Sequence, residues 1–479
     1  MTDRLSALDA SFLHVEEQTT PMHVGSVMVF DTPKGGLDLD RLVAHIEHRI
    51  APVPRYRQRV IEVPGRISNP VWADDPSFDL SYHVRRSGLP RPGTDEQLEE
   101  FVARIASRPL DHQRPLWECY VVDGLEHGRF AIVTKTHNAL VDGVNAVDLA
   151  QLILSGDPAE EPEAAFGDSW RPRNPPGDLT LIGDALADMV RRPTQVVETV
   201  RGGIADAQAT GARVLGALGN VVSTLARASA RPAPSSPLNV RVSGARRFVM
   251  VGTDLEEYRN VRSHLMKGRF AEDVTINDVV LATIAGALRA WLLTRGEPVN
   301  PATTVRAMVP VSFESESDTD STAVGGGLRA CFIDLPVGEP GPSMRLHQIA
   351  FAMRQQMETG VAVGAETLAS IGGFAPPTLH ALGARLGGAV SRRLYNLVIT
   401  NVPGPQRPLY AAGAKLVATY PVMPLGRGQG LSIGLTSYDG GVYYGLLTDR
   451  DALPDADVLG QCILDALAEL RDSNRSKRI

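Results

Sequence analysis

Cysteine is scarce in this chain, and the three cysteines are widely separated and odd in number: Cys119, Cys331 and Cys462. This pattern excludes a disulfide framework and a cysteine-based metal site, and it is typical of a reducing compartment. Histidine offers no better metal site, because a spacing such as His-x-x-x-His is missing around His14, His23, His83 and His112. The sequence therefore predicts no metal ion.

An excess of basic residues is also missing, since the formal net charge is −7 and the isoelectric point is about 5.9. Domains that bind nucleic acids are usually basic, so we expect no nucleic-acid partner. The most apolar helical stretch, residues 279–293, carries Arg289 and is shorter than the roughly 20 apolar residues of a bilayer span. The first residues also lack the apolar core of a signal peptide. We expect a cytoplasmic protein that is soluble, or peripheral on membranes or lipid droplets.

What the chain does contain is a pattern of alternating strands and helices, which occurs twice. A chain of 479 residues is too long for one ordinary core. The pattern predicts an α/β fold in which helices cover each sheet. We place an N-terminal domain at residues 1–156, a proline-rich connector with linker helices at 157–245, a C-terminal domain at 246–470 and a polar tail at 471–479.

Hydrophobic periodicity and turn residues locate the individual elements. Strands are predicted at 24–30, 117–122, 130–136, 304–312, 411–419, 431–437 and 442–448, the last two joined by a hairpin turn at Asp439-Gly440-Gly441. Helices are predicted at 40–50, capped by Asp38 or Asp40, at 95–106 and at 275–293.

The connector contains a basic, amphipathic segment. Between residues 191 and 231, six arginines stand against two acidic residues, and apolar residues recur at helical spacing: Val214, Leu218, Val221 and Leu225. Such a helix can rest on an anionic membrane or lipid-droplet surface. Packing across the two domains explains the same pattern, and the sequence leaves both alternatives open.

The most informative run in the chain is His137-Asn138-x-x-x-Asp142-Gly143. It follows the strand predicted at 130–136 and precedes a helix-like pattern at 144–154, and many enzymes present a base at such a strand end. Histidine suits this position because its pKa near 6.5 lets imidazole take and return a proton at neutral pH. Here an asparagine stands four residues before Asp142, and an amide has no useful basicity.

This run resembles the His-His-x-x-x-Asp-Gly motif of the bacterial wax ester synthase/diacylglycerol acyltransferase family, within the CoA-dependent acyltransferase superfamily. Four further segments resemble motifs of that family, in the same order along the chain: Leu5-Ser6-Ala7-Leu8-Asp9 with Pro21-Met22-His23-Val24-Gly25, then Arg114-Pro115-Leu116-Trp117-Glu118, Asn277-Asp278, and Asn401-Val402-Pro403-Gly404-Pro405. Each motif is weak alone, but five in order at compatible spacing form a strong resemblance over almost the whole chain.

The resemblance implies two acyltransferase-like domains, each a mixed sheet with helices, with the active-site channel between them. It implies transfer of an acyl group from acyl-CoA to a lipid hydroxyl, which makes triacylglycerol from diacylglycerol or a wax ester from a long-chain alcohol. Acyl-CoA would be a substrate, and no cofactor is expected. In the family, the second histidine of the motif would accept the hydroxyl proton, and in this chain that position is Asn138.

Asn138 leaves three alternatives. It is an inactivating change, natural or engineered; or His137 replaces the base, although on a regular strand its side chain would point to the other face; or the chain positions or binds acyl-CoA and lipid without a base. A positioned general base contributes ~10²–10⁴-fold in rate, so we expect impaired turnover. A thioesterase-like hydrolase lacks support, because the sequence has no Gly-x-Ser-x-Gly nucleophile elbow.

The other motif residues have structural interpretations beside the functional ones. Asp142 suits a helix N-cap or a salt bridge that fixes the loop, and Gly143 allows close backbone approach. Asn277 either caps the helix that follows or donates a hydrogen bond to developing negative charge, whereas Asp278 is expected to be a first-turn helix carboxylate. Residues expected to shape the substrate channel are Pro115, Leu116, Trp117, Asn401, Pro403 and Gly404.

Overall fold

The computed structural model describes residues 3–141, 149–159, 170–191, 232–265, 274–312, 328–358, 363–364 and 394–475. Asp142, Gly143 and the basic segment at 192–231 lie outside these ranges, so the roles expected for them stay predictions. The ranges of the two domains likewise stay a prediction.

The described residues form strands and helices throughout. The strands are β1 (Asp3–Arg4), β2 (His23–Asp31), β3 (Gln58–Ile61), β4 (Val71–Asp74), β5 (Val84–Gly88), β6 (Trp117–Leu125), β7 (Arg129–His137), β8 (Arg246–Asp254), β9 (Val305–Ser312), β10 (Leu328–Leu335), β11 (Val363–Gly364), β12 (Leu397–Pro403), β13 (Tyr410–Ala411), β14 (Ala414–Val422), β15 (Leu431–Tyr438) and β16 (Gly441–Asp449). The helices are α1 (Ala7–Val15), α2 (Leu39–Ile50), α3 (Leu80–His83), α4 (Asp95–Ala106), α5 (Asn138–Val141), α6 (Leu149–Ile153), α7 (Asp178–Arg191), α8 (Leu255–Leu265), α9 (Ile276–Thr294), α10 (Pro342–Glu358) and α11 (Ala456–Arg475).

The first large sheet has the strand order β13-β14-β2-β7-β6-β5. Its pairs are antiparallel except β5 with β6, which makes it a mixed sheet. Side chains alternate across β7, so Phe130 and Ile132 pack against α1, α2, α5 and α6, whereas Ala131 and Val133 face α4. A small sheet of order β1-β4-β3 is formed by the same N-terminal part of the chain.

The second large sheet has the order β11-β10-β9-β12-β15-β16-β8. Its central strands β9, β12 and β15 are parallel, while the outer pairs are antiparallel. Residues of α8, α9, α10 and α11 form one hydrophobic core with one face of this sheet. The predicted α/β fold of mixed sheets and helices is therefore confirmed.

Helix α9 is the most deeply buried helix among the described elements of the second sheet's core. By length and composition it could cross a membrane, but 72% of its most apolar window is buried inside the protein, as in a core helix. Thr275 caps its first turn, and the Asp278 carboxylate accepts a hydrogen bond from the Thr275 backbone in return.

Strand β14 connects the two halves of the chain. It lies in sequence between β12 and β15 of the second sheet, yet it pairs antiparallel with β2 in the first sheet, from Leu416–Phe30 to Val422–Gly25. Where it crosses β16, a Cβ on Gly445 would lie 1.9 Å from the Pro421 carbonyl oxygen, so only glycine permits this approach.

The strand predicted at 411–419 is instead divided into β13 and β14. Ala412 and Gly413 have positive φ angles of 49° and 84°, which turn the chain tightly between the two strands. The periodicity of the sequence continues through this turn, which explains why the prediction was wrong here.

Candidate active site

Backbone hydrogen bonds on both sides fix the end of β7 and the start of α5. The His137 N–H donates to the Leu116 carbonyl at 3.0 Å, and the Asn138 N–H donates to the Met22 carbonyl at 3.0 Å. Met22 and Leu116 belong to two other motifs that the sequence analysis identified. The fold therefore brings three motifs, which are distant in sequence, to one place.

The His137 side chain is completely buried, and both ring nitrogens face protein atoms. Its Nδ1 accepts the backbone N–H of Ala139 at 3.0 Å, so the neutral ring carries its proton on Nε2. That Nε2 lies 3.6 Å from Oε2 of Glu16. His137 is thus held as an acceptor for the first turn of α5.

Glu16, which directly follows α1, is the centre of this cluster. Its Oε1 accepts the Met22 backbone N–H at 3.0 Å, and its Oε2 lies 2.7 Å from Nε2 of His112. Burial opposes ionisation of Glu16, but the hydrogen bond with His112, the nearby His137 ring and the Met22 N–H together outweigh it and hold the Glu16 pKa well below its usual range. The hydrogen bond to Glu16 in turn raises the pKa of His112.

Glu16, His112 and His137 each offer a ligand atom, and these atoms lie within 4.8 Å of one another. Three such groups could hold a metal ion, although the sequence spacing predicted none. Two contacts fit hydrogen bonding better: the Glu16–His112 distance is 2.7 Å, and the proton on His137 Nε2 occupies the position of a metal bond. Sequence reasoning missed Glu16 and His112 because nothing in their local sequence marks them; packing alone brings them to His137.

The side chain of Asn138 is partly buried. Its Oδ1 is shielded from solvent and has no hydrogen-bond partner among the described residues. A buried, unpaired amide oxygen is unfavourable unless a bound molecule supplies the donor. Within the described part of the chain, the residue at the position of the family base is therefore a shielded acceptor without a donor.

A buried polar layer continues along β2 and β7 beside this cluster. His23 stands opposite His137, and burial together with the nearby Lys135 cation lowers the pKa of His23 well below its usual value. Burial also lowers the pKa of Lys135, an effect that Glu118 opposes at 3.6 Å. His23 is therefore neutral at physiological pH.

Asn277 and Asn401 meet at the start of α9. The Nδ2 of Asn401 donates to Oδ1 of Asn277 at 3.0 Å. This hydrogen bond orients the Asn277 amide, so that the NH₂ group of Asn277 points away from Asn401. The structure thereby brings together the Asn277-Asp278 motif and the motif that begins at Asn401. Pro403 is exposed and Gly404 packs on the Ser437 carbonyl, at the carboxyl ends of the parallel strands β12 and β15.

Leu116 and Trp117 are fully buried beneath the end of β7. The Trp117 indole N–H donates to the Tyr56 carbonyl at 2.7 Å, and His83 stacks on its ring. These contacts make the Pro115-Leu116-Trp117 segment a rigid support for His137, whose N–H donates to the Leu116 carbonyl.

The fold and these motif positions define a CoA-dependent acyltransferase-like protein, and sequence comparison specifies the family. Residues 5–280 match the wax ester synthase/diacylglycerol acyltransferase catalytic domain, and residues 325–471 match the C-terminal domain of the same family. The chain belongs to this family, as its sequence motifs predicted.

Two relatives and a solved structure resemble the chain, one of the relatives over about half of it and the other two proteins over nearly all of it. A probable diacylglycerol O-acyltransferase of Mycobacterium tuberculosis is 37% identical over 464 residues, 94% of this chain and 95% of that protein. A second one from the same organism is 45% identical over 264 residues, 55% of this chain and 96% of that protein. The wax ester synthase/diacylglycerol acyltransferase of Marinobacter aquaeolei VT8 is 29% identical, with a TM-score of 0.67 over 98% of this chain and 100% of that one.

Proposed function

We propose that this protein binds acyl-CoA and a lipid hydroxyl and transfers the acyl group between them, with a turnover that Asn138 limits. The observation that carries the reaction class is the full-length similarity to relatives named as O-acyltransferases. Diacylglycerol and long-chain alcohols are the acceptors that those names indicate, with triacylglycerol and wax esters as products.

In this reaction the acceptor oxygen attacks the thioester carbonyl carbon, the C–S bond breaks, and the hydroxyl proton ends on the CoA thiolate. A base at position 138 would carry that proton, and its absence costs ~10²–10⁴-fold in rate. The Oδ1 of Asn138, which no described residue pairs with, supports a remaining role, since it can accept a hydrogen bond from the acceptor hydroxyl. Orientation alone still accelerates a reaction between bound molecules.

Asn277 is the candidate donor to the negative charge that develops on the thioester oxygen. The hydrogen bond from Asn401 supports this role, because it fixes the Asn277 amide with its oxygen turned away and its NH₂ group available to donate.

His137 is the alternative base. Three observations support a structural role for His137 instead. Its side chain is completely buried, its Nδ1 accepts the Ala139 N–H, and its Nε2 lies beside the Glu16 carboxylate. A base needs a ring nitrogen directed at the substrate proton.

The second candidate function is a binding protein of the same fold that holds acyl-CoA or lipid without turnover. The observation that favours it is Asn138 itself, because an amide cannot carry a proton between substrates.

Release of CoA with diacylglycerol and with a long-chain alcohol, measured for the chain as written and for Asn138→His, separates these functions. We expect a gain of ~10²–10⁴-fold with histidine. Asn138→Ala serves as the control and should fall below the parent, because it removes the amide acceptor. If the parent is highly active and His137→Ala abolishes this activity, His137 is the base. No turnover in any variant, with acyl-CoA still bound, would support the binding protein.

A further inference from the structure

We propose that Glu16 is a positioning residue of the acyl-transfer site, which holds residue 138 in place from both sides. The proposal rests on the proposed function, because the position of residue 138 matters only if substrates react there.

The first connection runs through Met22. The Glu16 Oε1 accepts the Met22 N–H at 3.0 Å, and the Met22 carbonyl accepts the Asn138 N–H at 3.0 Å. Met22 is buried, so water does not compete for either hydrogen bond. The carboxylate therefore sets the position of the backbone nitrogen of residue 138.

The second connection runs through His137. The Glu16 carboxylate stands 3.6 Å from Nε2 and favours the ring form with its proton there. Only this form leaves Nδ1 with a lone pair for the Ala139 N–H, which donates to it at 3.0 Å. Because the peptides on either side of residue 138 are both bound, the direction of its side chain is fixed as well.

A buried carboxylate needs a hydrogen-bonding partner, and His112 supplies one at 2.7 Å; this contact raises the pKa of His112 and so favours its cation. The His112 side chain is 44% exposed, so solvent can reach the outer end of the cluster while Glu16 and His137 stay enclosed. The Lys135 cation contributes a further electrostatic interaction with Glu16. Hydrogen bonds and charge interactions, rather than apolar packing, therefore hold this cluster together.

Replacing Glu16 by glutamine keeps its shape but changes its chemistry. Either amide orientation places an NH₂ group against Met22 N–H or against the Nε2 protons of His112 and His137. The first orientation loses the connection through Met22. In the second, His137 can accept the amide only by moving its proton to Nδ1, which then opposes the Ala139 N–H.

The test uses Glu16→Gln in the Asn138→His background, where the proposed function supplies measurable turnover. We expect kcat to fall about 10–100-fold with KM for acyl-CoA and diacylglycerol nearly unchanged, because small misplacements of a reacting group have costs of that size. The matched control is Glu17→Gln, since Glu17 is exposed and pairs with Arg427 on the surface at 3.2 Å. Equal kcat in the two variants would overturn the proposal.

A second readout does not depend on activity. With uniform ¹⁵N labelling, the full-length parent should show His137 protonated on Nε2, and Glu16→Gln should change this protonation or broaden the Ala139 amide signal. An unchanged His137 ring and Ala139 amide would overturn the proposal even if Asn138→His has no turnover. Should Glu16→Gln unfold, Glu16→Asp retains the charge but not the reach, and it should fold with a similarly reduced kcat.

Discussion

Residue 138 is held by its backbone, not by its side chain. Its N–H donates to Met22, and the neighbouring Ala139 N–H donates to His137, whatever side chain stands at 138. An amide in place of an imidazole therefore leaves the support of the site intact and removes only basicity. This is why Asn138→His is expected to restore a proton acceptor without rebuilding the loop.

His137 offers a direct test of that support. His137→Asn keeps an acceptor atom on Cγ for the Ala139 N–H, whereas His137→Leu has similar bulk and no acceptor. We expect the leucine variant to be less stable than the asparagine variant by about 1–3 kcal/mol, the cost of a buried donor left unpaired. Urea unfolding followed by tryptophan fluorescence measures the difference, and equal stabilities would contradict the role assigned to Nδ1.

The sequence reveals some of this site and not the rest. His137 and Asn138 stand out because the pattern is local, and Asn277 and Asn401 stand out as parts of motifs. Glu16 and His112 do not, because a carboxylate after a helix and a histidine in a loop are common surface residues. Their meeting depends on how α1 packs against the end of β7, which no local pattern records.

At the scale of elements, α9 is locked to its neighbours by a buried arginine. The Arg345 guanidinium on α10 passes over Gly286 and donates to the carbonyls of Glu339 and Pro340, with Glu469 of α11 at 3.5 Å. A Cβ on Gly286 would lie 2.2 Å from Arg345 Nη1 and 3.0 Å from the Ala466 Cβ.

Gly286→Ala is therefore expected to destabilise the protein by about 1–3 kcal/mol through overpacking, despite the gain of about 1 kcal/mol that alanine brings to a helix interior. Gly183→Ala in α7 is the matched control, because no atom of the described residues lies within 4 Å of its added Cβ. Thermal unfolding should shift downward for Gly286→Ala and upward or not at all for Gly183→Ala. A stabilised Gly286→Ala would show that Arg345 moves aside freely.

Elements with strong local signals were predicted well. Asp38 caps α2, and Thr94 with Gln97 forms a capping box before α4. Helix α2 begins one residue before its predicted start, and α4 begins at its predicted start. The strands predicted at 24–30 and 431–437 lie within β2 and β15. The partner of β14 could not be predicted in the same way, because alternating residues show that a strand is half-buried but not which sheet it joins.

At the scale of the whole molecule, Glu99 links the two halves. It lies on α4, and its Oε1 accepts the Met250 N–H of the edge strand β8 at 2.6 Å. Burial raises the Glu99 pKa to about 7; the hydrogen bond from Met250 and the charge of Arg247 oppose this effect, and Glu96 and Asp95 add to it. The folded protein thus favours the protonated form.

This shift has a defined consequence for stability. Unfolded Glu99 loses its proton near pH 4.5 but the folded form loses it near pH 7, so Glu99 disfavours folding increasingly as pH rises through this window. Glu99→Gln retains an acceptor for Met250 without the charge. We expect it to exceed the parent by roughly 1–3 kcal/mol at pH 8 and by much less at pH 5.

Urea unfolding of both proteins at the two pH values tests this expectation. Glu100→Gln, an exposed neighbour on the same helix, is the matched control and should not change the pH dependence. A difference between Glu99→Gln and the parent that is independent of pH would show that Glu99 does not titrate in this window.

The pairing of β14 with β2 of the first sheet limits how such a protein can change during evolution. The first sheet includes a strand encoded between strands of the second sheet, so neither half is a module that can be copied, swapped or lost without opening an edge along β2. Substitutions at Pro421 or Gly445 must suit both sheets at once. The two ends of the gene are therefore expected to vary together, even where their products share no reacting atom.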